Sequence, residues 1–399
     1  MSVRPQRIEP AAMEGDFFYV KDLLDAEERK KLERVREFLA EKVRPHANEL
    51  WERAESPLGL TQDIRDLDIT GTWADDQSVA PRSYLLSGLI GMEMSRVDPS
   101  FATFVGVHGG LGMGSIRECG SDEQKERWLP SMVRWEKIGA FGLTEPLVGS
   151  GTAGGLTTTA RREGDSWVLN GEKKWIGNAT FADLVVIWAR DEADGQVKGF
   201  VVEKGTPGFS PQKLQGKIAL RGVQNAYIVL ADVRVPEENH LQRANSFRDT
   251  ARVLKATRGG VAWSATGCAI GAYEAARLYA VKREQFGKPI GSFQLMQDLL
   301  SRMLGNITAC QGMLVRMAGL QAEDRLSEAQ AALAKMFCTS RMRETVAWAR
   351  ELFGGNGILL ENDVARFFAD AEALYSYEGT RDMNSLIVGR AVTGISAFV

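Results

Sequence analysis

FGLTEPLVGSGTAGG, residues 141–155, is the stretch on which the reading of the fold turns. Gly149, Gly151 and Gly154 spell G-x-G-x-x-G, the spacing of a dinucleotide-binding turn. That turn requires a buried parallel strand before it and a helix after it, so that the helix N-terminus meets a pyrophosphate. The run upstream can hold a strand. The run downstream, LTTTARREGDSWVLNGEKKWIGN (156–178), has no 3.6-residue apolar period. It is rich in Thr, Val and Trp, with turn signals at Gly164-Asp165 and Asn170-Gly171, and reads as hairpin strands. The glycines therefore read as a loop between strands rather than a doubly wound nucleotide turn.

The chain changes period twice around this stretch. Upstream, AEERKKLERVREFLAEKV (26–43) places Leu32, Val35, Phe38, Leu39 and Val43 on one helical face, and Pro45 should end or kink that helix. Further helices are expected near 82–96 and 122–133. From 141 to 242 the pattern is strand and turn: FADLVVIWAR, VKGFVVEK and NAYIVLADVRV are separated by DEADGQ and GTPGFS, as in a compact antiparallel module. Beyond 247, two long runs, 293–320 and 328–353, carry the broad apolar stripes of bundled helices. QFGKPIG marks a break between helices. The fold class is α+β, with a helical domain (1–140), a β domain (141–242) and a helical bundle (243–399).

At 399 residues the chain needs more than one core. Its 44% hydrophobic and 25% charged content are those of a globular protein, and a net charge of −3 gives no electrostatic case for nucleic acid or an anionic membrane. No apolar run reaches the length of a membrane span. Cys119, Cys268, Cys310 and Cys338 are scattered in apolar or helical surroundings and read as free thiols in a reducing compartment. His46, His108 and His240 are far apart, so no metal site is expected. His108 and Met113 could equally line a substrate path or fill the core.

Several short motifs could carry chemistry, each with a structural alternative. In YSYEGTRD (375–382), Glu378 stands among aromatic residues and a glycine, where a dry carboxylate suits a general base. Taken alone, the octapeptide reads better as a helix end whose carboxylate is satisfied by backbone N–H groups. ELFGGNGI (351–358) could bring backbone close to a phosphate or simply end a helix. Arg283 in KREQFGKPI could pair a phosphate or cap a helix. Trp175 in EKKWIGN could flank a planar ring or fill a core. Arg258 in ATRGG could face a ligand or a salt-bridge partner.

The ordered set FGLTEP, WIGN, REQFG, FGGNG and YEGT, across helices, β module and helices, resembles the acyl-CoA dehydrogenase superfamily, and the resemblance covers nearly the whole chain. It implies an N-terminal helical domain, a middle β-barrel, a C-terminal four-helix bundle, a homotetramer and one FAD per subunit. By resemblance, Phe141, Leu143, Thr144, Gly149 and Ser150 line the flavin, with Thr144 hydrogen-bonding the ring and Ser150 also reaching CoA. Trp175, Ile176 and Gly177 cover the ring. Arg283, Phe286 and Gln294, with Glu351, Gly354 and Gly355 from a neighbouring subunit, hold the pyrophosphate and ADP part. Thr380 and Asp382 contact FAD beside the base. Ala102, Thr103, Lys255, Arg258, Tyr377 and Gly379 line the acyl-CoA path.

Glu378 matches the family's base. It would take the pro-R α-proton of a thioester polarised by its own N–H and a ribityl hydroxyl, while the β-hydride leaves for the flavin, giving a trans-2-enoyl-CoA.

Three positions depart from the family pattern. The C-terminal third resembles the glutaryl-CoA dehydrogenases, which hold a distal carboxylate with an Arg-Ser pair. The stretch here is VDPSFATF, with Ala102 and Thr103 at those positions. An unpaired carboxylate there would be costly, so a neutral, short acyl chain is expected. Gly177 stands where most members carry Thr or Ser, and Ser150-Gly151 where many carry Ser-Asp. Other stretches resemble plant short-chain acyl-CoA oxidases, and Gly177 could ease access of O₂. The terminus AFV is not a peroxisomal address, and a cytoplasmic setting is expected. The expected electron acceptor is an electron-transferring flavoprotein, with an oxidase as the alternative. A flavoprotein without catalysis is disfavoured by Glu378.

Overall fold

The computed structural model describes residues 15–67, 69 and 83–397. The first fourteen residues of the expected N-terminal domain, and Phe398 and Val399 of the AFV terminus, lie outside them. The first helices are α1 (Ala26–Phe38), α2 (Arg44–Arg53), α3 (Thr61–Asp66), α4 (Tyr84–Val97), α5 (Pro99–Gly106), α6 (Gly114–Cys119) and α7 (Asp122–Val133). The strands follow: β1 (Gly139–Gly142), a single helical turn α8 (Thr152–Gly155), then β2 (Thr159–Glu163), β3 (Ser166–Gly177), β4 (Leu184–Asp191), β5 (Val197–Glu203), β6 (Phe209–Lys213) and β7 (Asn225–Pro236). The C-terminal part is α9 (Phe247–Lys282), a two-stranded hairpin β8 (Glu284–Gln285) and β9 (Lys288–Pro289), α10 (Gln294–Ala322), α11 (Glu328–Leu352), α12 (Val364–Ser376) and α13 (Arg381–Thr393).

Local chemistry sets the helix starts. Asp25 and Glu28 close a reciprocal capping box at α1, and Ser121 and Gln124 do the same at α7, satisfying amides that would otherwise be orphaned. The face expected from the sequence, Leu32 through Val43, is buried. Pro45 does not end the helix. A π turn, Leu39–Val43, leads directly into α2, with Pro45 in its first turn, where a missing N–H costs little.

The sheet runs β1-β4-β2-β3-β7-β6, with β5 on the other side of β4. It is curled, but not wholly antiparallel as the sequence suggested. β4 pairs in parallel with β1 at one end and with β2 at the other. The glycine loop is the connection that lets β1 and β2 lie on the same side of β4. Only the four-residue turn α8 lies between them, so no βαβ unit forms and the G-x-G-x-x-G spelling carries no nucleotide turn. The β3–β7 ladder is long and slips register between Lys174 and Ile176. That bulge holds Trp175 at φ 69° and swings its indole outward.

The helical bundle packs on α4. A Cβ at Gly267 would lie 2.0 Å from the Met92 carbonyl oxygen, so only glycine lets α9 approach α4 this closely. The three parts meet at a buried polar node. Asp370 Oδ1, on α12, accepts from Trp51 Nε1 (2.7 Å) and from the Leu220 N–H (2.6 Å). Nearby, Arg366 pairs with Asp98 at 2.9 Å and with the Asn48 side chain. Burial, then the charge of Asp98, pushes Asp370 up to about 7. Its folded value lies above the ordinary 3.8, so the stability it contributes is present at low pH and is lost as pH rises through about 7. Asp370→Asn keeps Oδ1 as the acceptor for both donors. The variant is expected to be at least as stable as wild type at pH 8 and to lack this slope, read as thermal midpoints from pH 5 to 8.

Candidate active site

The link between α12 and α13 presents Glu378. Its backbone is left-handed (φ 56°), and so is that of Gly379 (φ 86°), where a side chain would be strained. Two successive left-handed residues turn the chain sharply and project the carboxylate away from both helices. Glu378 Oε2 accepts from the Thr257 hydroxyl at 2.8 Å, across from α9. Desolvation pushes its pKa up, opposed by the Thr257 hydrogen bond and by the charges of Arg258 and Lys335. The carboxylate is thus a stronger base than a solvated one, held by one neutral donor.

The turn is supported from below. Lys335 on α11 is fully buried, and its Nζ donates to the Tyr375 carbonyl (2.9 Å) and the Gly379 carbonyl (2.6 Å). Asn384 Nδ2 donates to the Gly379 and Thr380 carbonyls, each at 2.9 Å. The Thr380 hydroxyl caps α13 by accepting from the Met383 N–H. Tyr377 packs against the helical core, and the Thr103 hydroxyl donates to the Pro99 carbonyl at 2.8 Å within α5. Ala102 is buried in the helical core. Arg258 is tied to Glu328 at 2.6 Å, the salt-bridge alternative of the sequence reading. Lys255 is exposed.

The glycine loop forms a second element. Glu145 is its anchor: the buried carboxylate accepts from Lys173 Nζ (2.9 Å) and from the Thr157 and Thr158 amides (2.7 and 2.9 Å). Lys173 also donates to the Leu143 carbonyl at 3.0 Å. Lys173 and the two threonine amides outweigh burial and hold Glu145 down at about 2, whereas burial brings Lys173 down to about 8. Beside this pair, the Thr144 hydroxyl donates to the Lys174 carbonyl at 2.6 Å. Its proton is committed, so Thr144 Oγ1 can meet a ligand only as an acceptor.

The side chains of Phe141 and Leu143 enter the core beneath the loop. Gly149 and Ser150 are exposed, and Ile176 is buried. The Trp175 indole is 57% exposed, with the Lys174 ammonium 5.5 Å from its centroid.

Gly177 is buried rather than open. A Cβ there would lie 3.1 Å from Val107 and 3.6 Å from Val223. Gly177→Thr is therefore expected to press on Val107 and cost about 1–3 kcal/mol, as overpacking does, read in a thermal or denaturant melt.

A third group lies at the α9–α10 corner. The β8–β9 hairpin carries Phe286 at its tip, 93% exposed at φ 53°, with Arg283 and Gln294 exposed on either side. The turn after α11 packs beside it: Tyr279 stacks on Phe353 at 4.1 Å, and its hydroxyl accepts from Asn356 Nδ2 at 2.8 Å. Glu351, Gly354, Gly355, Thr380 and Asp382 are exposed. His108 belongs to the core, as does Met113. The His108 Nε2–H donates to the Met132 carbonyl (3.0 Å), Nδ1 accepts from the Gly139 N–H (2.9 Å), and burial lowers its pKa to about 4.

Thr257 falls within the stretch 251–258 that the resemblance assigns to the acyl-CoA path, whereas sequence reasoning missed Lys335 and Lys173. Each had a signal. Lys335 interrupts the buried face formed by Ala331, Ala334 and Cys338, and Lys173 falls on the inward phase of β3. A charge on a buried face needs a partner.

The structure thus holds a half-buried carboxylate of raised pKa on a turn between two helices, an exposed indole at a strand bulge and a glycine loop anchored on the β module. Over residues 25–136, 140–233 and 247–393 the chain matches the acyl-CoA dehydrogenase N-terminal, middle and C-terminal domains, and it belongs to that family of flavin-dependent oxidoreductases acting on acyl-CoA, whose cofactor is FAD. It is 32% identical to the short-chain specific acyl-CoA dehydrogenase of Clostridium acetobutylicum, over 89% of this chain and 94% of that one. Its fold is similar to that of glutaryl-CoA dehydrogenase from Mycobacterium smegmatis (TM-score 0.92, 36% identity, 96% of this chain and 99% of that one). It is similar also to butyryl-CoA dehydrogenase from Megasphaera elsdenii (TM-score 0.88, 30% identity, 92% and 98%). Among the described residues no helix is long and apolar enough to cross a membrane, and no group of three His, Cys, Asp or Glu could hold a metal ion.

Proposed function

We propose that the protein removes two hydrogens from the α and β carbons of a short, neutral acyl-CoA, giving a trans-2-enoyl-CoA and passing the electrons to an electron-transferring flavoprotein. The observation that carries this reading is the Glu378 carboxylate, raised in pKa and held by Thr257 on a turn of two left-handed residues. Glu378 takes the α-proton, and its backbone N–H polarises the thioester carbonyl. FAD, when bound, supplies the acceptor for the β-hydride.

The donor set fits such a group. The exposed Trp175 indole flanks a flat ring, Thr144 Oγ1 accepts, and the glycine loop offers main chain without side chains in the way. Arg283, Phe286 and Gln294, with Glu351, Gly354 and Gly355, would hold the ADP part. That these groups and apolar side chains such as Phe286 and Leu295 lie on the surface supports a site completed by a second subunit, within a homotetramer. A cytoplasmic setting accompanies this reading. Ala102 and Thr103 provide no cation for a second carboxylate, which favours a neutral chain over glutaryl-CoA.

An oxidase is the second reading, because Gly177 carries no hydroxyl, although Val107 and Val223 fill the space on its Cβ side rather than leaving a path for O₂. The test is to reduce the flavin anaerobically with butyryl-CoA, then admit air and follow absorbance and H₂O₂. Slow recovery, accelerated by an electron-transferring flavoprotein, is the expected result. Fast recovery with stoichiometric peroxide would make the protein an oxidase. Absence of bleaching would overturn the short neutral chain.

A further inference from the structure

We propose that Lys335 is a positioning residue for Glu378: its ammonium fixes the turn that presents the carboxylate and places a positive charge behind it. This rests on the assignment of Glu378 as the base.

The argument starts from what a buried ammonium needs. Lys335 is fully buried on α11, among Ala331, Ala332, Ala334 and Cys338. Its two hydrogen-bond acceptors, the carbonyls of Tyr375 and Gly379, are neutral. An ammonium out of water with only neutral partners is costly, so a nearby carboxylate matters. Glu378 is the acidic group that holds the lysine's charge, while Arg258 opposes it. Arg258 already has Glu328 as its own partner. Lys335 therefore stays protonated up to about pH 8 against burial.

The same geometry works in the other direction. The two carbonyls that Lys335 binds bracket Glu378, one in the last turn of α12 and one just past the base. Pinning both fixes the two left-handed residues between them. Lys335 and Glu378 are thus counter-ions joined through backbone rather than by direct contact. Such a contact would occupy the carboxylate and blunt it as a base. Among the described residues this arrangement leaves the carboxylate with only the neutral Thr257 donor and still gives it a stabilising charge.

Lys335→Gln separates the two roles, since an amide can donate twice but carries no charge. With FAD bound, anaerobic flavin reduction by butyryl-CoA is followed across pH. The acid limb of the rate is expected to move to higher pH, with roughly tenfold slower reduction at a fixed pH on that limb, as loss of one nearby opposite charge implies, and with KM little changed. Lys335→Arg is expected to keep the wild-type limb. A Lys335→Gln limb superimposed on wild type would overturn the proposal. If Lys335→Gln does not load FAD, Lys335→Arg decides: a limb displaced despite the retained charge overturns it.

A double-mutant cycle on thermal unfolding needs no turnover, so it separates failure of this inference from failure of the substrate assignment. Lys335→Gln should cost less in a Glu378→Gln background than in wild type. Additive losses would rule out the pairing.

Discussion

Glu378→Gln is expected to fold, bind FAD and lose flavin reduction by butyryl-CoA by roughly three orders of magnitude, the middle of the range for a positioned base. The amide is nearly isosteric. Its oxygen can still accept from the Thr257 hydroxyl, now 2.8 Å from Oε2, and the backbone N–H of residue 378 is unchanged. What is lost is the ability to take the α-proton. In wild type the acid limb of reduction should lie above the ordinary carboxylate range, because desolvation raises Glu378. The carboxylate must be ionised to act, so the rate rises with pH through that limb. In the variant the limb should vanish with the rate. Stopped-flow bleaching under argon, with FAD content measured beside it, is the check. Retained reduction in a fully loaded variant would remove Glu378 from its role.

The second large effect is structural. Lys173→Met should cost about 3–5 kcal/mol, the range for breaking a buried pair by removing one partner. Glu145 would then keep the Thr157 and Thr158 amides but lose the cation that compensates its charge, and the Leu143 carbonyl would lose a donor. These groups hold both ends of the glycine loop, so FAD retention should fall together with the melting temperature. In wild type the depressed Glu145 value means that this contribution is present above the ordinary carboxylate value of 4.5 and is lost as pH falls toward about 2. Thermal melts from pH 3 to 7, with FAD released on gel filtration as a second measure, test both parts. A variant that keeps its flavin and melts like wild type would show the pair to be dispensable.

Loop anchoring of this kind explains why the opening stretch misleads as a motif. Its glycines lie in the connection from β1 to β2, and a Cβ at Gly149, Gly151 or Gly154 would touch nothing within 4 Å. Their spacing is not imposed by packing. The constraint lies in Glu145, six residues before Gly151, and in Lys173 on the next long strand. A motif read along the chain sees the glycines, whereas the loop is held by a residue 28 positions away from Glu145.

The sequence by itself determined the alternation of parts. Apolar period is a local property, so the helical face from Leu32 to Val43, the strands around Val185 and Val229, and the later helices could be read directly. It also singled out Glu378 and Trp175, because YEGT and WIGN stand in order with FGLTEP, REQFG and FGGNG along the chain. Tertiary structure alone decided the rest. Which strands pair in parallel depends on how a connection closes in space, so β1 and β2 flanking one edge of β4 could not be read from hairpin signals. Pro45 continuing into α2 depended on a π turn before it, which no propensity marks. Whether Arg258 faces a ligand or Glu328, and whether Glu378 meets Thr257, depends on residues 70 and 121 positions apart. A side chain's chemistry is written in the sequence, but its electrostatic surroundings exist only once distant segments have been brought together.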